Sequence, residues 1–337
     1  MSTSTTKAWT FNHEGYPKAL RLSSAPVKST LSTTELRVRV KAAAINPVDI
    51  QLMNFPIWSY LPTFLAAPEH GLAADFSGVV EAAGESSGFK AGDEIFGMVP
   101  LLSTGTLQET IHLDTTTAAL APKPSSWTFA QAAALPLVYL TARTVLAAVE
   151  PYVANASRPK VAVLGGSSST GMYCVHLAKS RGWSVIASCS GRNADFVRSM
   201  GADEVIDYTS SSVPERVKAF QPDAIMDCVG GTECIGLADR YVTIVGDKTS
   251  RANMGGAATY LWNPQMLLRS YLGKFGLGKS YDCVNLELKS SYLEETLRLP
   301  AEKLVVDSTF GFDQVREAFE RLNTGRARGK VVVEVCK

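Results

Sequence analysis

In Val161-Ala-Val-Leu-Gly165-Gly166-Ser167-Ser168-Ser169-Thr170-Gly171-Met172 an apolar run feeds a turn of glycines and hydroxyl residues, and the turn opens onto a helical stretch. The run Val161–Leu164 lacks polar alternation, as expected of a strand covered on both faces. Beyond the turn, Met172, Val175, Leu177 and Ala178 recur at helical spacing. Small residues let a ligand come close to the backbone, and amides at a helix N-terminus carry partial positive charge. Gly166, Ser167, Ser168, Ser169, Thr170 and Gly171 are therefore candidates for holding the pyrophosphate of a dinucleotide. The other reading is a tight connection with no ligand.

The flanking sequence repeats the strand–helix alternation. Trp183–Ser188 reads as a second strand, Asn193–Met200 as a short helix, and Ala224–Val229 and Tyr241–Val245 as further strands. Such alternation predicts a parallel sheet with crossover helices. An acid about 20 residues beyond the turn commonly holds a free adenosine 2′-hydroxyl. Here that place reads Ser190-Gly191-Arg192, with a hydroxyl and a guanidinium but no carboxylate. Arginine matches a phosphate with a planar fork of donors, so NADPH is the expected cofactor. The alternative for Arg192 is a solvated surface cation. Tyr208, Val229 and Gly246, near the ends of the third, fourth and fifth strands, complete the cofactor candidates of this region.

The first 125 residues are different. Leu36–Lys41 alternates apolar and basic side chains, Ser77–Glu81 and Asp93–Gly97 follow as strands, and Gly84, Gly88 and Gly92 mark turns. After residue 261 the pattern is mixed. Asp313 is placed to cap a helix with Val315, Ala318, Phe319 and Leu322 on one face, before a last strand at Lys330–Val335. The predicted organisation is one β-rich domain, 1–125 with 262–337, interrupted by an α/β domain at 126–261.

Thirty-three basic and 32 acidic residues leave a net charge of +1, which gives no electrostatic footprint for nucleic acid. The apolar runs read as too short for a membrane span. The start, Met1–Lys7, lacks the apolar core of a secretory signal, so a frayed terminus and a cytoplasmic location are expected. Six cysteines without a Cys-x-x-Cys pair spell out no zinc lobe and are read as reduced, buried thiols.

Ala44-Ile-Asn46-Pro47-Val-Asp49, Asp75-Phe-Ser-Gly78, Lys90-Ala-Gly92-Asp93, Leu140-Thr141-Ala142, the Gly/Ser turn and Gly329-Lys330-Val-Val-Val stand in order along the chain. Together they resemble the medium-chain dehydrogenase/reductase superfamily, especially its zinc-less quinone oxidoreductase and enoyl reductase branches. The resemblance implies a Rossmann parallel-sheet domain inserted in a GroES-like β-rich catalytic domain. It also implies that Asn46 and Thr141 lie beside the nicotinamide, and that the segment after Asp49 lines the substrate mouth. Zinc-dependent members have cysteine at the place of Asn46 and histidine at the place of Ala74, so no metal is expected; His70 is four residues out of register and reads as a turn or pocket-rim residue.

Without a metal, neutral donors must stabilise charge developing on a carbonyl oxygen. Asn46 and Tyr60 are the catalytic candidates, Tyr60 as proton donor or else as an aromatic pocket wall. The expected activity is NADPH-dependent hydride transfer to a quinone or an α,β-unsaturated carbonyl compound, in a homodimer joined at the Rossmann-sheet edge. A nucleotide-binding protein that serves by interaction is the alternative.

Overall fold

The computed structural model describes residues 4–12, 14–55, 69–247 and 263–336. The chain forms two compact units, Met1–Leu137 with Leu288–Lys337, and Val138–Glu287. The first unit holds β1 (Thr5–Phe11), β2 (Leu20–Pro26), β3 (Glu35–Ile45), α1 (Pro47–Met53), β4 (His70–Gly71), β5 (Asp75–Ala83), β6 (Glu94–Met98), β7 (Thr110–Asp114), β8 (Ala119–Pro122) and α2 (Phe129–Ala133). Helix α3 (Pro136–Val153) leads into the second unit, which continues with β9 (Lys160–Leu164), α4 (Gly171–Ser180), β10 (Ser184–Cys189), α5 (Ala194–Met200), β11 (Glu204–Asp207), α6 (Val213–Phe220), β12 (Ala224–Asp227), β13 (Arg240–Thr243), α7 (Pro264–Lys274) and β14 (Ser280–Cys283). The chain then returns to the first unit as α8 (Ser290–Glu295), β15 (Val306–Gly311), α9 (Val315–Asn323) and β16 (Lys330–Glu334).

Strand β3 is the axis of the first unit. In its first half Leu36, Val38 and Val40 are buried while Arg37 and Arg39 face outward, the alternation read from the sequence. In its second half Ala42–Ile45 are all buried, because β16 pairs along one side (Val331 opposite Ile45) and β5 along the other (Ala44 opposite Asp75). The resulting path is β15-β16-β3-β5-β6-β8, with β7 also on β3, and a separate sheet β2-β1-β4.

The second unit is a six-stranded parallel sheet in the order β11-β10-β9-β12-β13-β14. Val161, Ala162 and Val163 of the central β9 are fully buried, as the unbroken apolar run requires. From β9 the chain steps outward through β10 and β11, then restarts on the other side with β12. This reversal opens a crevice at the C-terminal end of β9, where open α/β sheets bind ligands. The Gly/Ser turn sits there.

Three sequence expectations need correction. The seams between units fall at 137/138 and 287/288, later than 125/126 and 261/262, because β14 pairs in parallel with β13 and keeps its segment in the α/β sheet. Asp313 does not cap the last helix. It lies in a 3-10 turn, Phe312–Gln314, where Gln314 Oε1 accepts the Gly311 N–H at 3.0 Å; Val315, Ala318, Phe319 and Leu322 are buried as expected. Together α2 and α3, over Phe129–Val153, are long and apolar enough to cross a bilayer by length and composition, contrary to the sequence reading, but most of that stretch is buried within the protein, as in a core helix.

Candidate functional site

Two polar centres stand out, one in each unit. In the first, three buried side chains meet at the end of β3. Asn46 follows β3, Asp75 opens β5, and Lys330 opens β16. The Lys330 ammonium bonds Asp75 Oδ2 at 2.7 Å and also donates to Asn46 Oδ1, with side-chain exposures of 3% for Lys330 and 0% for Asp75. Asn46 Nδ2 donates to the same Asp75 oxygen at 3.0 Å and to Ala44 O at 3.4 Å. The other Asp75 oxygen accepts the N–H of Leu137, in the first turn of α3, at 2.8 Å. Every heteroatom of the Asn46 amide therefore has a protein partner, and the residue is 1% exposed. This geometry makes Asn46 an organising residue; donation to a substrate would require it to leave these partners.

Asp49 extends the centre. Its carboxylate accepts the N–H of Asn46 at 2.7 Å and of Ala73 at 3.2 Å, and so ties α1 to the segment before β5. Ala73 has a positive φ of 61°, an uncommon conformation for a residue with a Cβ, held in place by this contact. Burial pushes the Asp49 carboxyl up to about 7, against the amide of Asn46 and the charge of Lys330, which favour ionisation. The Asp75 carboxylate and the Asn46 amide here already hold an ammonium, and among the described residues no group of three or more His, Cys, Asp or Glu side chains is placed to hold a metal ion.

The second centre is the crevice of the parallel sheet. Gly165 N–H donates to Ser188 Oγ at 3.0 Å and Gly166 N–H to Ser188 O at 2.8 Å, so the neighbouring strand β10 fixes the start of the turn. Ser168 bends it further, its N–H on Gly165 O at 2.9 Å and its Oγ accepting Gly171 N–H at 3.0 Å. A Cβ at Gly171 would lie 2.1 Å from Gly165 O, so only glycine permits this closure. The N–H groups of Ser167 and Thr170 donate to no protein group among the described residues, and they stand at the entrance to α4. That is the donor set a pyrophosphate needs, and the cradle fits one.

The remaining candidates distribute as follows. Val229, 53% exposed, packs over the turn, since its Cγ1 would lie 2.2 Å from a Cβ at Gly165. Ser169 lies in the turn, half-buried, and Gly246 is buried just after β13. Ser190 and Arg192 flank the short turn after β10, with Arg192 exposed, and Tyr208 beyond β11 is 59% exposed. Thr141 is buried on α3 in the second unit. Tyr60 lies outside the described residues.

Sequence reasoning missed the residue that fixes Val229 and Gly246. Asp227, fully buried at the end of β12, accepts Val229 N–H at 3.0 Å and Gly230 N–H at 2.9 Å through Oδ1. Its Oδ2 accepts Thr243 Oγ1–H at 2.7 Å. Thr243 Oγ1 in turn accepts the N–H of Val245 at 3.2 Å and of Gly246 at 2.9 Å. One carboxylate thus sets both loops. Burial pushes the Asp227 carboxyl above its ordinary range, while these donors oppose the shift. The sequence signal was a single acid in the otherwise apolar strand Ala224-Ile-Met-Asp227, just as Lys330 heads the apolar run Val331–Val333.

Both centres yield tests. Lys330→Met leaves Asp75 buried without its counter-charge, and unfolding in denaturant should show a loss of about 3–5 kcal/mol. Adding Asp75→Asn should recover part of that loss; a fully stable single variant would show that the pair is dispensable. Asp227→Ala orphans two amides and a hydroxyl, so thermal unfolding should report a loss of about 2–4 kcal/mol, with Asp227→Asn milder because it keeps one acceptor oxygen. Equal stability of the two variants would deny the carboxylate its role as an amide acceptor.

Residues 32–125 match the family described as alcohol dehydrogenase GroES-like domain, and residues 200–333 the family described as zinc-binding dehydrogenase. The chain is 32% identical to the human mitochondrial NAD(P)H oxidoreductase RTN4IP1, over 97% of this chain and 89% of the human protein. It is 30% identical to the trans-enoyl reductase pgmF of Aspergillus terreus, over 98% and 97% of the two chains. The fold is that of the quinone oxidoreductase from Coxiella burnetii, with a TM-score of 0.75 at 24% identity over 99% of this chain and all of the other. The chain belongs to the medium-chain dehydrogenase/reductase superfamily of nicotinamide-dependent oxidoreductases.

Proposed function

We propose that the protein is an NADPH-dependent, zinc-independent reductase acting on an activated double bond, in a quinone or an α,β-unsaturated carbonyl compound. The observation that carries this reading is the turn Gly165–Gly171, closed by Ser188 and Ser168 with the Ser167 and Thr170 amides left as donors. Relatives named as NAD(P)H oxidoreductase, trans-enoyl reductase and quinone oxidoreductase support the reaction class. Bound NADPH supplies a hydride, two electrons and a proton together, and the substrate needs one further proton. Tyr60 is the donor this reading assigns. Zinc-independence is supported by Lys330, whose ammonium already occupies the polar centre beside Asn46 and Asp75.

The preference for NADPH rests on Ser190 and Arg192. Arg192 makes no ion pair among the described residues, so its guanidinium is available to a 2′-phosphate. A charge-assisted contact of this kind is worth about 1.5–3 kcal/mol, or roughly ten- to 150-fold in affinity. Arg192→Ala should weaken NADPH by about that factor and barely affect NADH. Turnover should be sought by following NADPH oxidation, after dialysis against a chelator, with quinones, 2-enals and enoyl thioesters. Tight NADPH binding without turnover on any of them would favour a binding role over catalysis, and loss of turnover on chelation would remove zinc-independence.

We further propose a homodimer joined at β14, one of the two outer strands of the parallel sheet among the described residues. An unpaired strand edge invites pairing. Beside it α7 exposes Leu268 and Tyr271, with Phe275 and Leu277 exposed just beyond, apolar surface that a second copy would cover. Light scattering should give twice the 36.2 kDa of the chain. A mass of one chain at all concentrations would overturn the dimer.

A further inference from the structure

The Ser190–Arg192 turn, which has no acid of its own, receives one from the neighbouring strand. β10 and β11 run in parallel with Cys189 opposite Asp207, so the two strands end level, and Tyr208 N–H donates to Cys189 O at 3.1 Å. The Asp207 side chain reaches across to the backbone of Gly191. A Cβ at Gly191 would stand 2.5 Å from Asp207 Oδ2, so the glycine is what admits the carboxylate. Asp207 Oδ1 is held by Thr209, by its N–H at 3.0 Å and its hydroxyl at 2.7 Å. These donors, the Thr209 hydroxyl first, keep the carboxyl below its ordinary range, so it is charged at neutral pH.

A guanidinium and a carboxylate therefore flank one turn. They act in opposite directions on whatever the adenosine carries at its 2′ position. A phosphate gains from Arg192 and is repelled by Asp207, whose carboxylate stands against the Gly191 backbone. A free hydroxyl can donate to Asp207, the role that an acid at the end of the second strand plays elsewhere. We propose that Asp207 is a cofactor-selectivity residue that restrains the preference for the 2′-phosphorylated nucleotide and lets the site accept NADH as well as NADPH. This rests on the nicotinamide-nucleotide reading above and adds to it a residue from a different strand with the opposite sign.

The test is binding, measured apart from turnover. Asp207→Asn keeps one acceptor oxygen for the Thr209 amide and hydroxyl and removes the charge; Asp207→Ser is the second variant, and thermal unfolding checks both for folding. NADPH, NADH and the fragments 2′,5′-ADP and 5′-AMP are titrated by calorimetry. Removing a like charge from the phosphate's surroundings should tighten NADPH and 2′,5′-ADP by about tenfold, while NADH and AMP stay level or weaken a few-fold. Combining Asp207→Asn with Arg192→Ala should bring the two nucleotides back toward equal affinity. A ratio of NADPH to NADH affinity that stays within twofold of the unaltered protein, in folded variants that bind both, overturns the role of Asp207 and leaves the nucleotide reading standing. An equal weakening of all four ligands reduces Asp207 to a former of the turn and equally overturns it. If the unaltered protein binds neither nucleotide, the nucleotide reading falls, and this inference with it.

Discussion

A single buried ammonium holds the first unit together. Lys330 is separated from Asp75 by 255 positions and from Asn46 by 284, yet it bonds both in a place water does not reach. A buried charge is tolerated only when it is paired and its partners are themselves satisfied. That condition is met here by geometry on every side: Asp75 takes Lys330 and Asn46 on one oxygen and the first turn of α3 on the other. Shifting β16 against β3 by one residue would break the pair and turn Val331–Val333 inside out. The pair therefore specifies register as well as contributing contact.

The second unit uses the same device with no cation. Asp227 gathers two amides and, through Thr243, two more, so that the ends of β12 and β13 become fixed loops. Neighbouring β10 does the equivalent for the glycine turn with Ser188. Each loop at this edge of the sheet is thus anchored by a side chain from a strand end. A ligand seated there would meet donors already aimed, with little ordering left to do.

Much of this was legible beforehand, and the reason is periodicity. The alternation in Leu36–Lys41 and the unbroken apolar run Val161–Leu164 each admit one burial pattern, and the structure has it. The turn Gly165–Gly171 was readable because small residues between a strand and a helix have few other uses. What the sequence hid were contacts between residues distant in the chain. Nothing in Gly329-Lys330-Val331 states that this lysine is buried, and nothing near Ser190 reveals that Asp207 lies alongside, because strand adjacency is a property of the sheet order. Asp313 misled for a local reason: an acid two residues before an apolar stripe looks like a cap, but the 3-10 turn moved the helix start past it. The seam at residue 287 was hidden because β14 is short and reads as part of a mixed tail.

The split ancestry of the first unit has a consequence for how the protein is made. Synthesis proceeds from the N-terminus, and domains tend to form as they leave the ribosome. The second unit, Val138–Glu287, is one continuous piece and has all its strands once β14 has been translated. The first cannot finish until β16 emerges at the very end of the chain, so the second half of β3, beyond its pairing with β7, must wait with one side unpaired. Closing a loop of that length in a flexible chain carries a large entropic cost, which grows with the logarithm of the residues enclosed. A folded insert removes most of those residues from the flexible loop that β16 must close. The order of assembly is therefore built into the connectivity: the inserted sheet first, then the last strand delivering its lysine to an acid that has been waiting since the first quarter of translation.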